Sequence, residues 1–454
     1  MSAKLKLTAI FITLILFQFK LSAQETTSDT LSLSLSQARD YALKNNYKMK
    51  NARLDVTAAD KKVWETTAIG LPHVDGKIDY NNNLIVGTMP LKMTQPDGSE
   101  ATMYIQMGSP HTASGSISVS QLIFDGSYIV GLQSAQTYKK ISELAEKKSE
   151  TLIDEAVTNA YGGVILSKET VIILNSNVET LERNLKETKA YFENGLSEEQ
   201  NVEQLQILLS STKNLLFNAE RAYDTNMQML KFTLGMDINS PLKLEDGIEQ
   251  LLLENINPSI VEKQLSLENN IDILIQNNRV KSQVLLKKLE KSKYLPSINA
   301  FYNTKQDAFS NDFSFFQSSQ EWYGAQVVGL SLNVPIFSSF QRHSKVQQAK
   351  IELEKARTTR VETEQQLILD VEKSKNAYLS SVNQFHTAKD NMDLATKIRK
   401  KEEIKYFEGM SGSLDLSNAE TQMFNTQSSY IQSIFALIQA KAALDRMLMK
   451  FEEE

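Results

Sequence analysis

Tyr191-Phe192-Glu193-Asn194-Gly195-Leu196-Ser197 recurs 215 residues later as Tyr406-Phe407-Glu408-Gly409-Met410-Ser411, and this recurrence points to an internal duplication of the chain. Three further matches keep the same order along the chain: Asn45-Asn46 with Asn269-Asn270, Leu71-Pro72 with Leu295-Pro296, and Ile123-Phe124 with Ile336-Phe337. Ordered matches of this kind indicate that two copies of one structural repeat follow each other. We therefore predict a first repeat over residues 25–240, a linker over 241–258 and a second repeat over 259–454.

Residues 1–24 have the pattern of a secretory signal peptide. Lys4 and Lys6 precede the apolar run Leu7–Phe17, and small residues at 21–24 offer a cleavage site. A retained membrane anchor is the alternative, but the run is too short to cross roughly 30 Å of hydrocarbon as a helix. We therefore expect cleavage and export.

The composition excludes several classes of protein. With 17 glycines and 8 prolines in 454 residues, turns are scarce and the regular elements must be long. The formal net charge is -6 and the sequence has no basic stripe, which argues against nucleic-acid binding. Because the sequence has no cysteine, it has no disulfides, thiolate metal sites or cysteine nucleophile.

Each repeat follows one order of elements. A helix of about 34 residues, Leu35–Ala68 or Ile260–Tyr294, ends at Leu-Pro, where proline disfavours continuation of the helix. Two alternating segments precede a helix of about 65 residues, Ser127–Tyr191 or Arg342–Tyr406, and a glycine turn leads to a last helix of about 37 residues. The longest helices would measure roughly 100 Å at 1.5 Å per residue, too long for a globular core to cover. The last helices show the 3-4 spacing of a coiled-coil seam, as in Val202, Leu205, Leu209 and Leu416, Ala419, Met423.

The apolar period changes from 3.6 to 2 between Leu-Pro and each long helix. Alternation occurs around residues 74–81, 116–120, 298–303 and 328–336, and it is weakest in the third segment because Phe301 breaks the contrast. Such strands suit a membrane barrel, although a soluble sheet with one wet face would alternate in the same way. Four strands leave two open edges and known barrels begin at about eight strands, so we expect two or three chains to associate.

An exported chain with two helix–strand–strand–helix–helix repeats resembles the TolC family of outer-membrane efflux and secretion channels. The resemblance implies an α+β membrane protein, with four strands per chain in a trimeric, twelve-stranded transmembrane β-barrel and a long antiparallel coiled-coil tunnel. It implies a homotrimer in the outer membrane, in contact with outer-membrane lipid and extending into the periplasm. Its implied function is the exit duct of a tripartite efflux or type I secretion system, which passively conducts substrates from an inner-membrane pump.

A periplasmic adaptor protein is the other partner that the resemblance implies. In the family the two glycine turns receive this adaptor, which makes Gly195, Leu196, Gly409 and Met410 the docking residues. The alternative is that both glycines only end helices, where a left-handed residue is common, and the two interpretations are compatible. The rival function is a periplasmic coiled-coil scaffold or adaptor that conducts nothing.

Asp415 follows the second turn and matches a family aspartate, and Asn418 stands where the family often has another. Threefold symmetry would gather three Asp415 carboxylates in a periplasmic constriction that favours cations, whereas a ring of Asn418 would be neutral. The alternative role for Asp415 is an acid in the first turn of a helix, where the helix dipole stabilises it.

The resemblance also implies a latch that closes the tip through polar bridges. Tyr406 matches one member, and the acid that it would meet falls at Asn201. The family's basic member falls at Ser411 and its acceptor at Gln200. Each charged bridge would become a neutral hydrogen bond worth about 0.5–1.5 kcal/mol, so we expect little dependence of closure on salt or pH.

We find no pattern typical of an enzyme, a cofactor site or a metal site. No carboxylate or cysteine spacing accompanies the four scattered histidines, His73, His111, His343 and His386. Charge runs such as Lys139–Glu150 and Arg399–Glu403 are interpreted as solvated helix faces. The loop Gly87–Pro110 is interpreted as a tolerated insertion, with narrowing of the outer opening as the alternative.

Overall fold

The computed structural model of the chain describes residues 31–96 and 98–451. The predicted signal peptide, residues 1–24, lies outside the described residues. In chain order the elements are β1 (Leu31–Leu33), α1 (Leu35–Asn45), α2 (Tyr47–Ala68), β2 (His73–Asn82), β3 (Thr88–Thr94), β4 (Glu100–Gln106), β5 (His111–Asp125), α3 (Gly126–Glu193), α4 (Glu199–Leu234), β6 (Leu242–Leu244), α5 (Ile248–Asn255), a 3-10 helix (Pro258–Glu262), α6 (Ile271–Ser292), β7 (Ser297–Ser310), β8 (Tyr323–Asn333), α7 (Gln341–Phe407) and α8 (Ser413–Leu448).

The chain divides into two compact units, and each unit takes segments from both repeats. The first unit contains the described residues up to Ala42, with Val157–Glu254 and Leu394–Ile431. The second contains Leu43–Ala156, Asn255–Asp393 and the chain from Gln432 onward. The first unit is entirely helical apart from β1 and β6, and the second holds all the other strands.

The long helices predicted from the sequence are present. Helices α3 and α7 contain 68 and 67 residues, and α4 and α8 contain 36 residues each. The predicted seam is buried inside the first unit, where one apolar cluster joins α3, α4 and α8 through Val178, Leu181, Leu185, Val202, Leu205, Leu209 and Leu416. Each fully buried leucine contributes roughly 1.5–3 kcal/mol, so this packing stabilises helices that have no globular core around them.

The first helix of each repeat is shorter than predicted, because an asparagine starts a new helix. The Asn46 side chain accepts hydrogen bonds from the amides of Lys48 and Met49 at 2.7 and 3.4 Å, and this cap divides α1 from α2. In the second repeat Asn270 accepts from the amide of Asp272 at 2.9 Å, so α6 begins at Ile271 rather than near residue 260. An asparagine at this position satisfies an amide that the helix leaves unpaired. The repeated Asn-Asn pair therefore marks one local structure in both halves.

The four predicted strands form one antiparallel sheet in the order β2-β5-β7-β8. Val74, Val119, Tyr302 and Val328 stand opposite one another in a row across all four strands, which gives the sheet an apolar face. Phe301 lies on the other face, where a Cβ built on its partner Gly329 would come within 2.6 Å of the ring. Phe301 thus covers a glycine, which explains why it interrupts the alternation. Within the described residues β2 and β8 each pair on one side only.

Two strand pairs were not predicted. The loop interpreted as an insertion contains an antiparallel hairpin of β3 and β4, and the three-residue strands β1 and β6 pair in parallel. The segment 241–258, predicted as a linker, contains β6 and α5 and begins the 3-10 helix. These elements are too short for periodicity to reveal them.

Candidate functional site

The two repeated glycine turns have the same backbone structure. Gly195 and Gly409 have φ values of +74° and +73°, in the left-handed region that favours glycine. The amide of Gly195 donates to the carbonyl of Phe192 at 2.9 Å, and that of Leu196 donates to the carbonyl of Tyr191 at 2.9 Å. In the second turn the matching bonds run from Gly409 to Tyr406 at 3.1 Å and from Met410 to Lys405 at 2.8 Å. Both turns are therefore Schellman motifs, which end α3 and α7 in the same way.

The residue after each glycine is apolar and exposed. In a Schellman motif this residue frequently packs against the preceding helix. Here Leu196 is 74% exposed and Met410 is 67% exposed. Tyr191 and Phe407 lie beside the turns with their ring centroids 6.2 Å apart. The two turns therefore present a small apolar surface that this chain leaves uncovered.

Asp415 lies in the first turn of α8 and takes part in local hydrogen bonds. Its Oδ2 accepts from the hydroxyl of Ser411 at 3.2 Å and from the amide of Gly412 at 3.3 Å. Asp415 and Asn418 are both exposed. These bonds fit the helix-start interpretation of Asp415, while its role in a constriction, like that of Asn418, stays a prediction.

The predicted latch residues have other partners within one chain. The hydroxyls of Tyr406 and Thr188 lie 3.1 Å apart, and Asn201 accepts a hydrogen bond from Ser413. Ser411 donates to Glu402 at 3.2 Å, and Gln200 is exposed. Neither Tyr406 with Asn201 nor Ser411 with Gln200 forms a hydrogen bond in the structure. The latch stays a prediction about the assembled protein.

The contact of Ser411 with a carboxylate bears on the charge of the second turn. A hydrogen bond from Lys405 is the main cause that lowers the pKa of Glu402, and the bond from Ser411 lowers that pKa as well. Glu402, near the end of α7, is therefore an anion near neutral pH. The hydrogen bond of Ser411 at the second turn thus involves a charged partner.

A buried ion pair close to the second turn was missed. Arg399 lies in a charge run that was interpreted as solvated, yet its side chain is only 14% exposed. Its Nε donates to Glu420 Oε1 at 2.8 Å, and its Nη2 lies 3.2 Å from Glu403 Oε1. The Glu420 side chain is 1% exposed, and burial raises its pKa although Arg399 opposes the shift. The only signal in the sequence was that Glu420 directly follows the seam residue Ala419.

Two buried tyrosines, one near the middle of α3 and one near the middle of α7, hold the segments beside them in place. Tyr161 donates to the carbonyl of Leu33 at 3.1 Å and lies 2.9 Å from Asp246 Oδ2, inside the first unit. In the second unit Tyr378 donates to the carbonyl of Asn255 at 2.9 Å and accepts from the amide of Asn257 at 2.8 Å. Burial is the main cause that raises the pKa of both phenols. Each hydroxyl therefore stays protonated and holds an irregular segment on its helix.

The described residues, 31–96 and 98–451, contain neither a helix suited to crossing a membrane nor a cluster of His, Cys, Asp or Glu suited to a metal ion. No helix in these ranges combines the length and the apolar character needed to cross a membrane. In the same ranges no three His, Cys, Asp or Glu side chains are grouped so that they could hold a metal ion.

Comparison with known proteins gives one family. The profile of the family described as "Outer membrane efflux protein" matches residues 38–236 and 263–448, one match in each predicted repeat. No curated protein matches the sequence significantly.

Several solved structures are similar to this chain. A structure of CusC, from a study of folding and transmembrane channel formation, has a TM-score of 0.70 at 16% identity and covers 91% of each chain. The CmeC outer membrane channel of Campylobacter jejuni has a TM-score of 0.69 at 16% identity, covering 92% of this chain and 87% of that one. The outer membrane protein VceC of Vibrio cholerae has a TM-score of 0.68 at 13% identity, covering 92% of this chain and 97% of that one. These likenesses confirm the predicted fold class.

Proposed function

The chain belongs to the outer membrane efflux protein family, and from this premise we propose that three copies close one barrel and form the exit duct of a multi-protein efflux system. Family membership confirms the broader prediction, an outer-membrane efflux channel that extends into the periplasm. The homotrimer, the partner proteins and the residues that serve them are the finer statements that we propose here.

The open edges of the sheet are the single observation that supports this assembly best. Within the described residues β2 and β8 each lack a partner on their outer side. In hydrocarbon every unpaired backbone amide or carbonyl costs several kcal/mol, so the edges must be paired before the sheet can enter a membrane. We propose that β2 of one copy pairs with β8 of the next, which gives twelve strands from three copies.

The two faces of the sheet fit a lipid exterior and a wet interior. The row that runs from Val74 to Val328 supplies the apolar face. On the opposite face Asp75 is paired with Ser118, which in turn stands opposite Asn303. We propose that the apolar face contacts outer-membrane lipid and the polar face lines the lumen.

Channel recordings test the duct. Purified protein reconstituted in planar bilayers should give discrete single-channel currents. On a denaturing gel, samples that have not been boiled should show the oligomer as one band. A non-conducting scaffold would give oligomers without currents. Monomeric protein without currents would reject the proposal outright.

The glycine turns are the proposed docking surface for a periplasmic adaptor protein. Leu196 and Met410 are exposed on turns of identical geometry, so a helical hairpin could bury both side chains. Leu196→Asp and Met410→Asp should abolish co-purification of the cognate adaptor while leaving the trimer and its conductance intact. Leu253→Asp, at a site 82% exposed elsewhere in the first unit, is the matched control and should keep the adaptor.

We propose that Asp415 forms a cation-selective ring at the periplasmic end and that the duct has no catalytic activity of its own. An inner-membrane pump then supplies the energy for transport. Asp415→Ala should remove cation preference and block by multivalent cations in bilayers. Glu408→Ala removes another exposed acid near the same turn and should leave both properties unchanged.

A further inference from the structure

The hairpin of β3 and β4 has one wholly apolar face that the proposed duct does not use. The face consists of the cross-strand pairs Met89 with Ile105, Leu91 with Met103, and Met93 with Ala101. The ladder continues one step further, where the amide of Met107 donates to the carbonyl of Gly87 at 2.8 Å. Because side chains alternate along a strand, Met107 lies on the same face.

Methionine dominates this face, with four of the 14 methionines of the chain. The four form a zigzag between the two strands. Met89 is diagonal to Met103 and Met107, and Met103 is diagonal to Met89 and Met93. Diagonal neighbours lie about 7–8 Å apart, within reach of long side chains. Apart from Gly87 and its two chain neighbours, no heavy atom lies within 4 Å of the position where Gly87 would carry a Cβ, so no other residue occupies the space beside Gly87 on this face.

The thioethers are accessible, and the hairpin needs a contact to stabilise it. The four methionines are between 50% and 62% exposed. A two-stranded hairpin is marginally stable in water unless something packs on it. Leucine would serve as well as methionine for packing alone, but only methionine adds a soft sulfur ligand.

The charged groups of β3 and β4 lie on the opposite face. Lys92 and Glu100 alternate with the methionine positions, and their charged atoms lie 3.6 Å apart. The methionine face therefore offers no carboxylate to a hard cation such as Mg²⁺ or Ca²⁺. The thioether sulfurs of methionine are soft ligands and favour soft metal ions.

We propose that this face binds one soft monovalent cation of the Cu(I) or Ag(I) type through the thioethers of Met89 and Met103. Either Met107 or Met93 completes a set of three sulfurs, because each is diagonal to one of the central pair. The ion links β3 to β4 across the hairpin and so stabilises it, since binding energy at such a site adds to folding energy. No electron transfer is involved.

Silver titration of the full-length trimer in detergent tests the site, because Ag(I) needs no reductant. Methionine methyl groups labelled with ¹³C should show shifts confined to the four hairpin residues, saturating at one ion per chain. Met103→Leu should weaken binding by at least about tenfold, since loss of even an outer-shell partner costs that much at metal sites. Mg²⁺ should cause no shift.

Matched variants make the outcome decisive. Leucine keeps the volume of methionine, and preserved trimer and conductance would show that each variant folds. The paired control Met229→Leu with Met449→Leu removes two other methionines, which are 58% and 37% exposed, and should bind silver like the parent. Equal silver shifts at all exposed methionines would overturn the proposal. So would unchanged affinity in Met89→Leu with Met103→Leu, or hairpin resonances that never move because a neighbouring copy covers the face.

Discussion

Removal of the Arg399 guanidinium tests the buried ion pair inside the first unit. The carboxylate of Glu420 is 1% exposed and accepts a hydrogen bond from Arg399 Nε at 2.8 Å. Arg399→Met keeps an unbranched chain of similar length but leaves this carboxylate buried without its cation. Breaking a buried pair by removal of one partner costs about 3–5 kcal/mol.

The loss should depend on pH in a definite direction. Burial raises the pKa of Glu420 in the folded chain, and loss of Arg399, which lowers that pKa, raises it further. A carboxyl with a raised folded pKa binds its proton more tightly in the folded state than in the unfolded state. Its stabilising effect is therefore greatest below the ordinary carboxyl pKa and is lost as pH rises through the raised value. Arg399→Met should be most damaging at pH 8 and much less so near pH 5.

Thermal unfolding followed by circular dichroism measures this effect, because most of the described residues are helical. An unfolding entropy of about 2.1 cal/mol/K per residue gives about 1 °C per kcal/mol for a chain of 454 residues, so the apparent melting temperature at pH 8 should fall by roughly 3–5 °C. Arg357→Met removes a cation whose pair with Glu354 is more than half exposed, and it should change little. An Arg399→Met protein that melts like the parent at pH 8, or that loses as much stability at pH 5 as at pH 8, would contradict a stabilising buried ion pair between Arg399 and Glu420.

Three further substitutions probe the repeated features. Tyr161→Phe removes a donor to the buried Leu33 carbonyl and Asp246 carboxylate and should lower the free energy of unfolding by about 1–3 kcal/mol in chemical denaturation. Tyr138→Phe, at a site 55% exposed, should be neutral, and equal effects would contradict the role given to the Tyr161 hydroxyl. Gly409→Ala forces a Cβ into the left-handed region and should cost about 1–2 kcal/mol, and a neutral effect would reject the turn geometry. Gly412→Ala should be tolerated, because the nearest side-chain atom to an added Cβ, Asp415 Oδ2, lies 3.8 Å away. Asn270→Ala removes a helix cap and should lower the free energy of unfolding by about 1 kcal/mol, and an unchanged value would show that the cap is not needed.

Helices and strands were predictable where a periodic pattern runs long enough to be distinctive. The 3-4 spacing from Val202 to Leu209 correctly predicted that these side chains are buried, and the alternation around Val74 and Val328 correctly predicted strands. The positions where helices break were harder to predict, because the residue type of Asn46 does not by itself show that its side chain caps the backbone amides of the next helix. The hairpin of β3 and β4 was treated as an insertion, although Met89, Leu91 and Met93 already alternate there.

The candidate site was predictable in its backbone and not in its side-chain partners. A glycine after a long apolar pattern predicts a left-handed turn, and Gly195 and Gly409 both have that conformation. Hydrogen-bond partners depend on how helices distant in the sequence rotate against each other. For that reason Tyr406 forms its hydrogen bond with Thr188 rather than with Asn201, and the burial of Arg399 could not be inferred from a run of charged residues.

Disulfide cross-linking between the two outer strands tests whether copies of the chain join through β2 and β8, and the parent chain has no cysteine that could interfere. Each test chain would carry Ile78→Cys in β2 and one further cysteine among residues 324–332 of β8. These chains would then be oxidised in membranes. We predict that adjacent positions yield covalently linked dimers and trimers, and that cysteines on the interior strand β7 yield none. If every such chain remains monomeric, the copies do not join through β2 and β8, and the proposed barrel of three copies is wrong.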